Sequence, residues 1–246
     1  MGALLATNVS WRLLWFSAGI GALGVGWLCH RSELPGSGRG DRLAARGVLG
    51  MLRSEALVLL AVAFALGAMV EGGIELWGVL YLRTRLNSGL LVGAGGAVIG
   101  YTMAAITRVL LGPRVGSRGA GRGVLLGAGT AAAGCLALAL SPAAVPAAAG
   151  LVLAAGGISM TWPLLIAEAG AGRGRPGAVI GAVTTIGYLG LLTGPILVGL
   201  VAAKAGLRWG LVLLAAAAGM VAVVPIIRSR DRNALQRIAV SSARDT

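Results

Sequence analysis

Charged side chains are scarce in this chain of 246 residues and are missing altogether from long stretches of it. Only 12% of the residues are charged, whereas 57% are hydrophobic. Asp, Glu, Lys and Arg are absent from five stretches: 13–29, 86–107, 123–167, 176–203 and 209–227. A water-soluble domain needs charge on its surface, whereas a transmembrane α-helix needs about 20 consecutive apolar residues. The composition therefore excludes an ordinary soluble domain and indicates a chain that crosses a bilayer several times.

Residues that commonly carry catalysis or bind metals are equally few. The single histidine, His30, lies at the end of an apolar run, which excludes a paired-histidine metal site and argues against a Ser–His dyad. Cys29 and Cys135 lie in apolar runs without a His or second Cys at ligand spacing. The phosphate-binding pattern GxxxxGK[ST] is absent, which excludes an ATP-driven pump within the chain. We therefore predict no metal, no cofactor and no enzymatic activity, with an intramembrane enzyme as a distant alternative.

The apolar runs divide into seven predicted transmembrane helices. The long uncharged stretch 123–167 is broken at Pro142 and Pro146, because proline lacks the backbone donor that the interior of a helix needs. Runs of this length without strict alternation are not barrel strands, and lipid offers no partner to an open sheet edge. We therefore predict an all-α polytopic membrane protein. Its spans are 11–29, 55–82, 91–111, 123–141, 145–168, 178–203 and 208–227.

The basic residues give these spans an orientation. The formal net charge is +13, but the arginines lie in short segments between apolar runs, so we predict the lipid bilayer and not nucleic acid as the partner. Of 21 basic residues, 15 fall in one set of alternating connections, 5 in the opposite set, and Arg108 lies inside a span. The positive-inside rule places the richer set in the cytoplasm. We expect a multi-pass protein of the bacterial inner membrane with a cytoplasmic C-terminus.

The order of elements and three local patterns resemble the major facilitator superfamily of transporters. One span preceded by Trp11, a long linker and then six spans resemble the sixth helix, central loop and C-terminal half of this family. The second span, EGGIELWGVLYL from Glu71, resembles the seventh helix of the fucose-permease-like, YbjJ-type branch. The resemblance implies four segments: a first helix at 1–30, a cytoplasmic linker at 31–54, a six-helix bundle at 55–227 and a basic tail at 228–246.

The other two patterns lie in the third and sixth spans. The third span leads into a Gly- and Arg-rich segment that resembles the family's cytoplasmic gating loop, although Pro113 stands where an acidic residue is usual. Its residues are Arg108, Gly112, Arg114, Arg118 and Arg122. The sixth span has the small-residue spacing of the family's eleventh helix, which also resembles an antiporter signature, but tight helix packing explains it as well. Its residues are Gly181, Gly190, Gly194, Pro195 and Gly199.

The resemblance implies secondary active transport of a small solute by alternating access, with H⁺ as a possible coupling ion. The family's first five helices have no counterpart in this sequence. We therefore expect a partial or half transporter that works with an N-terminal-half partner or as a homodimer. The alternative is a truncated, non-transporting membrane protein or an accessory half. The substrate, the direction of transport and the oligomeric state stay open.

Glu71 and Glu75 are the carboxylates well inside a predicted span. Being four residues apart, they share one helix face. An ionised carboxylate is costly in hydrocarbon, so this face is expected to meet a bundle or a watery cavity, where it would bind substrate or a proton. Gly72 and Gly73 weaken the helix between them, as at the interrupted helices of transporters. A structural pair hydrogen-bonded within the bundle is the other interpretation.

Two tryptophans and one arginine complete the candidates. Trp77 is expected either to stack on a substrate or to join the aromatic belt at the membrane interface. Trp162 precedes Pro163, which is expected to kink the fifth span, so it is a candidate for the cavity wall or for packing. Arg108, one turn before the end of its span, is expected either to reach the membrane interface or to anchor the Gly- and Arg-rich loop.

The charge asymmetry predicts which connections face the outside of the cell. In a background without Cys29 and Cys135, Ser88→Cys should react with a membrane-impermeant maleimide in intact cells. Ser117→Cys should react only after permeabilisation, because its segment belongs to the arginine-rich set. The opposite labelling pattern, with Ser117→Cys reactive in intact cells and Ser88→Cys protected, would reverse the whole orientation.

Overall fold

The computed structural model describes residues 11–31, 50, 55–111, 114, 119–171 and 176–242. The chain divides into two compact units, 1–45 and 46–246. The first unit contains one described helix, α1, at Trp11–Arg31. Its apolar side chains, such as Ile20 and Leu23, are largely exposed within that unit.

The second unit contains eight described α-helices and two π-helical turns. Helix α2 (Glu55–Gly73) passes through a π turn (Ile74–Gly78) into α3 (Val79–Thr84). Helix α4 (Leu90–Ile106) ends in a second π turn (Thr107–Leu111). The remaining helices are α5 (Ala120–Leu140), α6 (Ala144–Ser159), α7 (Thr161–Gly170), α8 (Pro176–Ala205) and α9 (Leu207–Ser242).

These helices confirm the predicted all-helical membrane fold. Five helical segments of the described chain are long and apolar enough to cross a bilayer. They are Glu55–Thr84, Ala120–Leu140, Ala144–Gly170, Pro176–Ala205 and Leu207–Arg228. Helix α1 covers the predicted span 11–29, and α4 with its π turn covers the predicted span 91–111. All the described regular structure is helical, as a bilayer requires of chains that are not closed barrels.

Helices α5 and α6 pack closely through two reciprocal pairs of glycines. A Cβ added at Gly134 would clash with the backbone around Gly150 and Ala154, and one added at Gly150 would lie 2.8 Å from the Gly134 carbonyl oxygen. Gly127 and Gly157 form the second pair, in which each Cβ would lie within 2.8 Å of the other glycine's carbonyl oxygen. Because lipid gives no hydrophobic drive to helix association, such close backbone contact is a main source of stability.

Helix α8 packs on α2 through some of the small residues that the sequence singled out. A Cβ at Gly190 would overlap the Ala65 backbone, and one at Gly194 would lie 2.8 Å from the Cα of Met69. Gly199 faces the ring of Trp77. Gly181 differs from the others, because no atom lies within 4 Å of its Cβ position and it makes no close helix contact. Gly187, against the Phe64 ring, takes part in the packing instead.

The contact between α8 and α2 predicts a contrast between two glycines of one helix. Gly194→Ala should lower the thermal unfolding temperature of the purified protein in detergent, because the new methyl group meets the Met69 backbone and overpacking costs about 1–3 kcal/mol. Gly181→Ala is the matched control and should leave that temperature unchanged or raise it, since alanine favours helix and the position is open. Equal effects of the two substitutions would contradict the close contact.

Candidate functional site

Pro163 interrupts the fifth predicted span and frees a backbone carbonyl group. The span is divided at Met160, where α6 ends and α7 begins. Proline has no N–H, so the carbonyl of Ser159, four residues earlier, has no intrahelical donor at that position. In a bilayer such a carbonyl group must find another partner. The break expected from Pro163 thus creates a hydrogen-bond acceptor inside the bundle.

Arg108 supplies that partner from the neighbouring helix. Its Nε donates to the Ser159 carbonyl oxygen at 3.1 Å, and its Nη2 donates to Glu71 Oε1 at 2.6 Å. The Ser159 hydroxyl lies 2.8 Å from the Gly156 carbonyl oxygen and 3.3 Å from that of Ala104. One guanidinium therefore joins three helical segments: the π turn after α4, the end of α6 and the end of α2.

The ion pair between Arg108 and Glu71 is partly covered. The Glu71 side chain is 21% exposed and the Arg108 side chain 44% exposed. A charged pair within a membrane-spanning bundle is tolerated only when its members neutralise each other or meet water. The pairing is also charge-assisted and short, which makes it one of the stronger kinds of hydrogen bond in a protein.

Both helices that carry the pair change to π geometry beside it. Glu71 lies one turn before the π turn Ile74–Gly78, which contains Glu75, and Arg108 lies within the π turn Thr107–Leu111. A π turn adds a residue to the helix and alters the direction of the side chains that follow; such turns are frequent at functional sites. The two turns therefore set the directions in which these charged groups project.

A cavity of about 180 Å³ adjoins the ion pair. Glu71, Glu75, Tyr101 and Arg108 contribute its polar side chains. Apolar side chains and one glycine from the first π turn, α3, α4 and α6 form the rest of its wall: Ile74, Val79, Gly100, Ala104, Ala105, Leu151, Ala155 and Ile158. Glu75 is exposed and Tyr101 is 53% exposed, so the cavity opens to the outside of this unit.

The polar groups of the cavity define what it could bind. Two carboxylates face one guanidinium and one phenol hydroxyl, so the wall holds one formal negative charge in excess. Such a set can hold a proton, a cationic group or the hydroxyls of a polar solute. Among the described residues, no group of three His, Cys, Asp or Glu side chains lies close enough together to hold a metal ion.

The two candidate tryptophans lie away from this cavity. Trp77 Nε1 donates to the Pro195 carbonyl oxygen at 3.1 Å, which attaches the ring to α8. The Trp162 ring lies 4.5 Å from that of Phe64 and 6.2 Å from that of Tyr188, and its buried indole nitrogen has no hydrogen-bond partner. Both rings therefore make packing contacts in this unit.

The Gly- and Arg-rich loop is only partly described. Gly112 and Arg118 lie outside the described residues. Arg114 Nη1 donates to the Leu110 carbonyl oxygen at 2.6 Å, and Arg122 is exposed in the first turn of α5. A second ion pair joins Glu168 to Arg228, where α7 meets α9.

Sequence reasoning missed the pairing of Arg108 with Glu71 and the roles of Ser159 and Tyr101. Counting from span ends placed Glu71 deep and Arg108 near one end. The segment Glu55–Thr84 has 30 residues, which extend about 45 Å against a hydrocarbon core of about 30 Å, so depth cannot be counted from its end. The usable signal was Pro163, because a freed carbonyl group inside a span needs a donor.

Comparison with known proteins gives the fold and leaves the sequence family open. No family model matches the sequence, and no curated protein matches it. A solved structure of a variant of the E. coli fucose:proton symporter is similar, with a TM-score of 0.71 over 84% of this chain and 16% identity. A variant of the peptide transporter POT in complex with sulfate is similar over 76% of this chain, with a TM-score of 0.62 and 18% identity.

Only part of each similar transporter is matched. The chain covers 52% of the symporter and 44% of the peptide transporter, so it spans about half the length of the transporters that it resembles. The identities are too low to carry over a substrate or a mechanism. Over the matched regions, the chain has the same helical fold as these two transporters.

Proposed function

We propose that this chain is one half of a secondary active transporter that moves a small solute by alternating access. The Glu71–Arg108 pair beside an open cavity carries the proposal, because ionisable residues inside membrane spans mark substrate or ion pathways. The similar structures are secondary transporters, which supports transport in general. In such folds the substrate site lies near the bilayer midplane, between two repeats that rock against each other.

The size of the cavity supports a shared site. Pockets for small molecules usually enclose about 300–1,000 Å³ and bury most of the ligand. The cavity here has about 180 Å³ and opens beside Glu75. It therefore provides one wall of a binding site, and a second half or a second copy of the chain would provide the opposite wall.

The ion pair suggests how a solute and a proton are coupled. A proton on Glu71 removes the charge that holds Nη2 of Arg108. A solute oxygen that accepts a hydrogen bond from Arg108 competes for the same donor. Each event weakens the same contact at 2.6 Å, so proton binding and solute binding would favour one another. The Ser159 carbonyl oxygen keeps Nε of Arg108 in place while Nη2 changes partners.

The remaining assignments belong to the same proposal. They place the chain in the YbjJ-type branch and in the bacterial inner membrane, with the C-terminus in the cytoplasm. They divide the chain into a sixth-helix equivalent at 1–30, a linker at 31–54, a C-terminal bundle at 55–227 and a tail at 228–246. As first substrates to test we choose L-fucose and other hexoses, then di- and tripeptides, since the similar proteins are named for fucose and peptides.

A non-transporting accessory half is the second candidate. The observation in its favour is that the chain covers 52% and 44% of the two similar transporters. The two candidates differ in what they require of the Glu71–Arg108 pair. A half transporter needs the pair for transport, whereas an accessory subunit needs it only for stability.

We expect that a monomer of the purified chain does not catalyse transport. The cavity with Glu75 opens to the outside of the bundle, and a single wall cannot expose a site alternately to two sides of a membrane. The measurement is uptake of the radiolabelled substrates into proteoliposomes that contain the chain alone. Saturable uptake by protein shown to be monomeric would disprove the half-transporter proposal.

A second prediction concerns Glu71 in the assembled transporter. Glu71→Gln should abolish proton-coupled uptake, measured with a pH-sensitive dye inside proteoliposomes, because the amide neither binds a proton nor carries the charge that Arg108 needs. Glu75→Gln should have a milder effect, since Arg108 hydrogen-bonds to Glu71. Membrane insertion should be normal in both variants, because a neutral amide is easier to bury than a carboxylate.

The matched control for these variants is Glu55→Gln. Glu55 is exposed in the first turn of α2 and lies far along that helix from the cavity. The Glu55→Gln variant should transport like the parent protein. Glu71→Gln with unchanged transport and pH dependence would exclude Glu71 from the coupling site, whereas loss of folding in Glu71→Gln and Glu75→Gln alike would favour the purely structural pair.

A further inference from the structure

A second cavity, of about 250 Å³, lies on another side of the same bundle. Its walls come from α4 with its π turn, from α5, and from α6 with the adjoining Met160. We refer to it as the α4–α5–α6 groove. Its lining includes Met103, Thr107, Leu126, Thr130, Leu153 and Gly156. None of these residues lines the cavity beside Glu71.

Glycines create the groove. Gly127 and Gly157 bring α5 and α6 into backbone contact, as described above, and leave the floor of the groove without side chains. A Cβ at Gly156 would lie 3.1 Å from Met103 Cγ and 3.5 Å from Thr107 Oγ1, so that position opens the space in front of α4. The groove thus forms where α5 and α6 cross closely, beside α4.

The lining of the groove suits a hydrocarbon chain. Leu126 is 63% exposed and Leu153 51% exposed, so the groove opens at the outer surface of the unit. The Thr130 hydroxyl donates to the Leu126 carbonyl oxygen at 2.7 Å, which satisfies its donor within its own helix. Apart from the hydroxyls of Thr107 and Thr130, the lining side chains are apolar. A water-soluble ligand would find almost no hydrogen-bond partners there.

Arginines stand at one end of this apolar surface. Arg122, Leu126 and Thr130 follow one another at intervals of four residues, so they lie along one face of α5. With a rise of 1.5 Å per residue, Leu126 lies about 6 Å and Thr130 about 12 Å below Arg122. Arg114 lies beyond Thr107 on the chain that forms the opposite wall. The polar region of each leaflet is about 5–8 Å thick, so these distances match a head group above its acyl chain.

We propose that the α4–α5–α6 groove binds one anionic phospholipid of the surrounding bilayer. One acyl chain lies in the groove along Leu126, Thr130 and Leu153. The phosphate group lies against the guanidinium groups of Arg122 and Arg114. Arginine recognises phosphate well, and basic pockets between transmembrane helices bind anionic lipid head groups. The arginine-rich end is the one that the positive-inside rule assigns to the cytoplasm, the leaflet that carries anionic lipid.

The groove and the Glu71 cavity share one short element. The π turn Thr107–Leu111 presents Thr107 to the groove and Arg108 to the ion pair. The lipid would therefore pack against the segment that positions Arg108. The lipid site itself needs no transport activity, so it can be tested on the purified chain.

Native mass spectrometry of the whole chain in detergent tests the head-group contact. The lipids are phosphatidylglycerol and phosphatidylcholine with identical acyl chains. The parent chain should bind phosphatidylglycerol more tightly. Arg122→Gln should weaken that binding about fivefold and leave phosphatidylcholine binding nearly unchanged. Arg208→Gln, an exposed arginine at the other end of the bundle, is the matched control and should bind like the parent. Equal lipid binding by the two variants would overturn the proposal.

A groove-filling substitution tests the acyl-chain contact. Thr130→Trp should weaken binding of both lipids severalfold, because the indole occupies the groove. Leu136→Trp, at a position of α5 that is 41% exposed and outside the groove, should not. Thermal unfolding of each variant shows whether the bundle is intact. Unchanged lipid binding by a folded Thr130→Trp variant, or displacement of phosphatidylglycerol by millimolar inorganic phosphate alone, would overturn the proposed acyl-chain site.

Discussion

The carbonyl group that Pro163 frees is the constraint on which the candidate site depends. In lipid, a backbone acceptor without a donor is costly, so a second group must supply one. Arg108 does so at 3.1 Å, but it brings a charge that the same environment does not tolerate alone. Glu71 neutralises that charge at 2.6 Å. Each of these groups therefore requires the next: the proline frees the carbonyl group, the carbonyl group needs the arginine, and the arginine needs the glutamate. The resulting contacts join three helical segments.

The two π turns show how the helices adapt to this requirement. A regular helix fixes the direction of each side chain from the one before, whereas a π turn shifts that direction by one inserted residue. One turn contains Glu75 and the other Arg108, so the irregularities occur where charged groups must reach a neighbour. Gly72 and Gly73, beside the first turn, fit closely under Leu191 and Leu214 and allow the helices to stay near each other.

Much of the fold follows from the sequence, because a bilayer leaves few alternatives. Charge-free runs predicted the spans, and Pro142 located the break between α5 and α6. The carboxylates Glu71 and Glu75 stood out for the same reason. Their partner Arg108 did not, because the depth of Glu71 depends on how far the 30-residue segment Glu55–Thr84 extends beyond the hydrocarbon. The reciprocal glycines of α5 and α6 were also missed. Gly127 and Gly134 are seven residues apart, and their role in packing is evident only when their contacts on the other helix are known.

The sides of the bundle differ in what they can contact, because polar groups are present on some sides and absent from others. Among the five long apolar segments of the described chain, helix α8 is the least covered, with 22% of its apolar stretch buried against 50–67% for the other four. Its exposed Thr193 donates to the Leu189 carbonyl oxygen, so that face is compatible with lipid as well as with protein. Glu75 and the half-exposed Arg108 are not compatible with lipid, because their charges need water or a partner. Under the proposed function, the side of the bundle that carries the Glu71 cavity is the side that a second half would cover. The α4–α5–α6 groove, whose lining is apolar, is a side that lipid can occupy.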